Sequence, residues 1–493
     1  MRKTILLFWA LIAVALCPAQ HVYDVCDFGA RGNGVHTDSP PINAAIEQAA
    51  REGGGTVKLP AGVYPCYSIR MKSNITLLLD SGAIVKAAMP TAEETYDLPE
   101  DNPSQYQDFG HSHWKNSLIW GIGLRNVAII GKGKIDGSGV LSRGRPMLNG
   151  LPVANKAVAL RDCQQVRITD IEMLNCGHFA LLLTGVDSLM IERLTIDTNR
   201  DGIDIDCCEN VRIRDCRVNT LNDDAIVLKT SYGLNRLKPT ANVIIENCHV
   251  SGYDIGTLID GTKTTFISKA PDQDGPTGRI KLGTESNGDF RNIIIRNCTF
   301  THCRGLALET VDGSQMENIV VTGIRMKDIN NAPFYIRAGN RNRGPEGLPA
   351  STVKNVTISN VTVEEADSRY ASIISGNAPG SIANITLSNI KLQYRGGITM
   401  EDVKSQRGIN PFFTQNPNMK SYPEPSAHGI QPASYFAISD AKNITLKDID
   451  ISFIHPDERP KMVLTNTGRV TVERVTHLKD RQIEGSTRMV IDN

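Results

Sequence analysis

The chain has 493 residues, with 53 lysines and arginines against 53 aspartates and glutamates. That balance leaves no basic excess for nucleic acid and no polybasic anchor for a membrane surface. Aromatic residues make up 5% of the chain, and Trp114 and Trp120 are the tryptophans beyond its first segment, which disfavours a binding module built on ring stacking.

Residues 1–19 read as a signal peptide. Arg2 and Lys3 charge its start, Ile5 to Leu16 is an apolar run too short to span a bilayer comfortably, and Cys17-Pro18-Ala19 ends in a small residue suited to cleavage. The expectation is an exported protein, periplasmic or extracellular, with residues 20–493 forming one domain. Next comes a turn-rich opening, Asp27-Phe28-Gly29-Ala30. Ser39-Pro40-Pro41-Ile42 then predicts a helix capped by Ser39, with Ile42, Ala45, Ile46 and Ala49 on one apolar face and Gly53-Gly54-Gly55 as its stop. A single amphipathic helix ahead of many strands suits a cap over the open end of a solenoid.

From residue 74 one phrase recurs: Asn74-Ile-Thr-Leu, Asn126-Val-Ala-Ile, Gln165-Val-Arg-Ile, Ser188-Leu-Met-Ile, Asn210-Val-Arg-Ile, Asn242-Val-Ile-Ile, Asn292-Ile-Ile-Ile, Asn318-Ile-Val-Val, and on through Asn355, Asn384 and Asn443. Short β-branched segments at a spacing of about 22–26 residues predict an all-β fold, a parallel β-helix. The asparagine reads as a turn residue tolerant of left-handed geometry. Cys216, Cys248 and Cys298 fall at one place in the repeat, which predicts buried stacked thiols and not a disulfide framework.

The central repeats carry the chemistry. Asn199-Arg200-Asp201-Gly202-Ile203-Asp204 is followed one repeat later by Asn222-Asp223-Asp224-Ala225-Ile226. If repeats stack as parallel strands about 4.7–4.9 Å apart, Asp201, Asp223 and Asp224 crowd one patch. Like charges that close are costly unless a proton, cation or substrate is handled there. Period-2 alternation points Leu181/Leu183, Ile203/Ile205, Ile226/Leu228, Ile280/Leu282, Leu306/Leu308 and Phe334/Ile336 into the coil. It points Asp204, Asp206, Lys229, Arg279, Lys281, Glu309 and Arg337 outward, as a groove running from acids to bases that suits an anionic substrate.

Asn-X-Asp-Gly-Ile-Asp followed by Asp-Asp-X-Ile resembles the signature of the polygalacturonase family of glycoside hydrolases, family 28. Asp27-Phe28-Gly29-Ala30 and Gly131-Lys-Gly-Lys-Ile-Asp-Gly137 resemble it too, and the likeness runs from about residue 22 to the end. The resemblance implies a right-handed parallel β-helix that hydrolyses pectic uronides with inversion. It implies Asp223 as general acid, with Asp201 and Asp224 holding the attacking water as base. An inverting pair leaves a gap of about 6.5–9.5 Å for that water. Asn199, Asp204, Lys229, Arg279, Lys281, Glu309, Arg337 and His178 are the expected substrate contacts. Neither cofactor nor metal is expected, and the expected partner is a pectic oligo- or polysaccharide met by a monomer.

Two family motifs are altered. A Gly-His-Gly motif is due near Thr277-Gly278-Arg279-Ile280, where no histidine stands. An Arg-Ile-Lys motif is due at Ala307-Leu308-Glu309, where both bases are gone. Those bases are expected to grip a galacturonate carboxylate on the leaving-group side. Their loss points to a neutral sugar there, as in rhamnogalacturonan, or to Arg279 and Lys281 as replacements. Insertions at 253–290 and 395–440, the second carrying Tyr422-Pro423-Glu424-Pro425 and His428, predict binding walls and exo-action. Two alternatives remain at this level: a pectate-type lyase using calcium and a basic proton acceptor, and a non-catalytic glycan-binding β-helix.

Overall fold

The computed structural model describes residues 21–102, 106–137, 139–141, 147–268, 275–405 and 422–492. The leader, including Cys17, lies outside them. The chain coils as a right-handed parallel β-helix. Among the described residues one face is a thirteen-stranded sheet, from Ile69–Arg70 to Ser486–Ile491. Its central strands are Phe179–Thr184, Asp201–Asp206, Ile226–Thr230, Ile280–Ser286, Leu306–Thr310 and Phe334–Ala338.

The register follows the alternation. Leu181 pairs with Ile203 and Leu183 with Ile205. Ile203 pairs with Ile226 and Ile205 with Leu228. The column continues through Ile280 and Leu282, then Leu306 and Leu308, then Phe334 and Ile336. All of these side chains lie in one continuous core. Stacking like on like lets each branched side chain fill the hollow of its neighbour and removes it from water, at about 25 cal/mol per Å² of apolar surface.

The turns are built as their residues require. Asn74, Asn126, Asn210, Asn242, Asn292, Asn318, Asn355, Asn384 and Asn443 all have φ between 54° and 63°, the left-handed region that asparagine tolerates. Their amides form a ladder. The Asn292 side chain donates to Asn242 at 3.1 Å, Asn318 to Asn292 at 3.2 Å and Asn355 to Asn318 at 3.3 Å. The described cysteines are all free. The Cys216, Cys248 and Cys298 thiols each donate to a carbonyl two residues back at 3.3 Å.

The helix Ser39–Arg51 buries Ile42, Ala45, Ile46 and Ala49 against the first turns of the coil. Ser39 is not its cap. Its hydroxyl accepts from Tyr67 N at 2.6 Å, and Asp38, at the cap position, instead accepts from Arg31 N and Gly32 N at 2.8 and 3.0 Å. The side chain is drawn to the strand loop and the opening turn, both of which carry unpaired N–H groups. At the other end the direction reverses: Arg481–Ile483 and Ser486–Ile491 pair antiparallel with the last coil strands, which covers the edges. The two insertions end sooner than expected, since Ile280–Ser286 and Phe436–Ser439 are regular strands of the thirteen-stranded face.

Candidate active site

Two successive turns supply the acids. Asp201 opens the strand Asp201–Asp206, and Asp223 and Asp224 occupy the turn before Ile226–Thr230. The turns are tied by Gly202 N to Asp224 O at 3.1 Å and Ile203 N to Ala225 O at 2.9 Å. Gly202 is required for this approach: a Cβ there would stand 2.4 Å from Val218 Cγ1 and 2.5 Å from Ala225 O. One carboxylate oxygen from each of Asp201, Asp223 and Asp224 lies within 4.8 Å of the others, a spacing that suits a bound water and also a cation. The gap of about 6.5–9.5 Å for an inverting pair is counted between whole carboxyl groups, whereas this spread is that of one oxygen from each acid.

The acids line a cavity of about 700 Å³ together with His111, His178, Phe179, Arg200, Lys229, Arg279, Glu285, Arg304 and Glu424. The three carboxylates sit in different fields. Asp201 is fully buried, and burial and then the neighbouring Asp223 push its pKa well above the usual range, against Lys229. A carboxyl of this kind holds its proton beyond the pH at which an ordinary aspartate releases it. Burial also opposes the charge of Asp224, but Lys281 and Arg279 outweigh it and hold its pKa below the usual value. Arg279 Nε donates to Asp224 Oδ1 at 2.8 Å, and Lys281 Nζ lies 3.6 Å from Asp224 Oδ2. Asp223 is the more open acid, its side chain 21% exposed, and it is paired with Arg200.

Behind Asp201 lies a second charged layer. Lys229 Nζ is 2.8 Å from Asp204, 3.5 Å from Glu285 and 4.0 Å from Asp201. Burial alone would discharge this lysine; Asp204, Asp201 and Glu285 overcome that and raise its pKa well above the ordinary value. His111 Nε2 stands 3.7 Å from Asp204 and 3.8 Å from Asp206. Burial and Lys229 oppose its charge, yet the two aspartates raise its pKa. His178 is the opposite case. Burial, then Arg200, hold it well below the ordinary histidine value, so it lines the cavity as a neutral ring stacked on Phe179 at 4.3 Å.

Of the residues expected at the site, Asp201, Asp223, Asp224, His178, Lys229 and Arg279 line the cavity. Asn199, Asp204, Lys281, Glu309 and Arg337 do not. Asn199 accepts from the Asn222 side chain. Arg337 turns to the next turn, donating to Ser375 Oγ at 2.6 Å and Gly376 O at 3.2 Å. The outward column is not an open groove. Asp204, Lys281 and Glu309 are 0% exposed and Arg337 1%: His111 stands beside Asp204, Tyr422 and Glu424 beside Lys281, and Ser375 against Arg337. Glu309 carries its proton up to about 7, mainly through burial, with Glu424 and Asp224 adding to the shift against Lys281 and Arg279.

Four residues at the site have no place in the repeat pattern. His111 comes from the short helix Phe109–Ser112, and Arg304 from the link between Thr299–Cys303 and Leu306–Thr310. Glu285 lies one residue before the end of the strand Ile280–Ser286, and Glu424 comes from the second insertion. Glu424 accepts from Arg279 at 3.1 Å and lies 3.3 Å from Arg304. The part of the wall expectation that concerns residues 406–421 and 269–274 lies outside the described residues.

The sequence profile of glycosyl hydrolases family 28 matches residues 102–265, which include all three acids. The chain is 26% identical over 387 residues to a probable polygalacturonase of Vitis vinifera, covering 72% of this chain and 77% of that protein. It is 23% identical over 473 residues to an exo-poly-alpha-D-galacturonosidase of Dickeya chrysanthemi, covering 83% and 73%. The crystal structure of an exopolygalacturonase from Thermotoga maritima superposes with a TM-score of 0.60 at 19% identity, over 96% of this chain and 95% of that one.

Proposed function

We propose that the chain acts as a member of glycosyl hydrolases family 28, whose profile matches residues 102–265, and that it hydrolyses α-galacturonosidic bonds of pectic polysaccharide with inversion, acting from the chain end on a rhamnogalacturonan-type substrate. The feature that carries this reading is the set of unlike carboxyls in one cavity: Asp224, whose charge Lys281 and Arg279 favour, Asp201, whose charge burial and Asp223 oppose, and Asp223 at the open side. The two neighbours named for activity, a polygalacturonase and an exo-galacturonosidase, support the substrate class.

Water rests between Asp224 and Asp201. It donates to the Asp224 carboxylate and stays within hydrogen-bonding reach of Asp201. As it attacks the anomeric carbon, its proton passes to Asp224. The bond from that carbon to the bridging oxygen breaks, and Asp223 donates a proton to the leaving oxygen. Arg200 steadies Asp223 once it is again a carboxylate. His178, uncharged, gives the sugar ring a polar edge without adding charge. The neutral leaving group follows from Ala307 and Glu309 standing where two bases are due. The wall that Tyr422, Glu424, Ser426 and Ala427 add to the cavity supports chain-end action.

Proton NMR during the first turnovers tests the stereochemistry. The product first formed from the α-linked substrate is expected as the β anomer, with galacturonate monomer as the early product. An α anomer formed first would contradict inversion, and mixed oligomers at early times would contradict chain-end action.

A further inference from the structure

We infer that Glu424 is a built-in counter-ion: it fills a carboxylate seat beside Asp224 and so fits that part of the cavity for an uncharged sugar. The inference rests on the hydrolase reading above. Arg279 uses Nε on Asp224 at 2.8 Å and turns its two terminal nitrogens to Glu424, one of them at 3.1 Å. Arg304 meets the same Glu424 carboxylate at 3.3 Å and Lys281 stands 3.9 Å from it. A guanidinium fork from Arg279 and a nitrogen from Arg304 converging on one carboxylate suit the recognition of a uronate. Arg279, Arg304 and Glu424 border the same cavity as the three acids.

Charge decides what the seat accepts. Three cations, Arg279, Lys281 and Arg304, face three carboxyl groups, Asp224, Glu309 and Glu424. A uronate entering this seat has to expel Glu424, leaving a buried carboxylate without its partners, which is a strong penalty. A neutral sugar meets no such penalty. This is discrimination by repulsion rather than by added contact. Glu424 is also held ready for the task. Pro423 and Pro425 fix the backbone on either side, the turn Pro425–His428 follows, and His428 Nε2 meets Tyr335 Oη at 3.0 Å. The residue that sets the subsite thus arrives from 145 positions further along the chain than Arg279.

Two readouts on the full-length protein test this. In Glu424→Gln, the ratio of kcat/KM for trigalacturonate to kcat/KM for a rhamnogalacturonan oligosaccharide is expected to rise at least tenfold, and Glu424→Gln/Arg304→Gln, which restores the charge balance, is expected to return it to the wild-type value. A brace for the 422–428 segment would show no such return. In Glu424→Ala, added acetate is expected to raise the melting temperature, as a small carboxylate takes the vacated seat, while the wild type does not respond. An unchanged ratio in a wild type that prefers rhamnogalacturonan overturns the inference and leaves the proposed function standing. A wild type that cleaves both substrates equally overturns the substrate reading, and the acetate readout then judges the seat alone. A Glu424→Ala protein that acetate does not stabilise overturns the seat.

Discussion

Replacing Asp223 by asparagine is expected to lower kcat on pectic oligosaccharides by about 10²–10⁴-fold with little change in KM, because a proton donor acts in the transition state and not in ground-state binding. Asp224→Asn is expected to fall by a similar factor for a different reason: the ionised group beside Arg279 at 2.8 Å can no longer take the proton of water. The two are told apart with p-nitrophenyl galacturonide. Its leaving group departs as a stable anion and needs no proton, so Asp223→Asn is expected to recover most of its rate while Asp224→Asn stays low. Recovery of Asp224→Asn, or none in Asp223→Asn, would exchange or refute the roles.

Arg279→Ala is expected to destabilise the protein by about 3–5 kcal/mol, measured by equilibrium urea unfolding, since removing one partner from a buried ionic cluster strands the others. Arg279 is 1% exposed, and Asp224 and Glu424 would both lose their guanidinium. The same change is expected to move the acidic limb of the pH–activity profile upward: Asp224 is held below the usual carboxylate value largely by Lys281 and Arg279, so without Arg279 it takes up its proton at higher pH and the base is lost sooner as pH falls. A loss under about 1 kcal/mol with an unmoved acidic limb would mean that the cluster is solvated and that Arg279 is incidental to Asp224.

The coil was legible in the sequence because its physics is local and repeated. Each Asn that begins a phrase needs a left-handed backbone, and each Ile or Leu two residues apart needs the same hollow, so Ile203, Ile226 and Ile280 could be stacked on paper as they stack in the protein. The three acids were legible for the same reason, as an irregularity shared by two neighbouring repeats. What surrounds them was not. His111 and Glu424 come from segments without period, so nothing in the spacing of residues 395–440 aligns Glu424 with Arg279. Parity says that Asp204, Glu309 and Arg337 point out of the coil, and it is right. It cannot say that His111 stands beside Asp204 or that Glu424 comes to Lys281 and Arg279, which turned an expected groove of open charges into a buried network beside a cavity. The cap was misplaced by one residue for a related reason: Ser39 and Asp38 accept from Tyr67 and from Arg31 and Gly32, residues distant in sequence from the helix start or in the turn before it.

The most direct test of the account is product analysis by mass spectrometry on homogalacturonan and rhamnogalacturonan oligosaccharides, for the wild type beside Asp223→Asn. Saturated galacturonate released from rhamnogalacturonan, far less from homogalacturonan, and lost in Asp223→Asn is the predicted result. Unsaturated products, equal release from both polymers, or release that survives Asp223→Asn would contradict it.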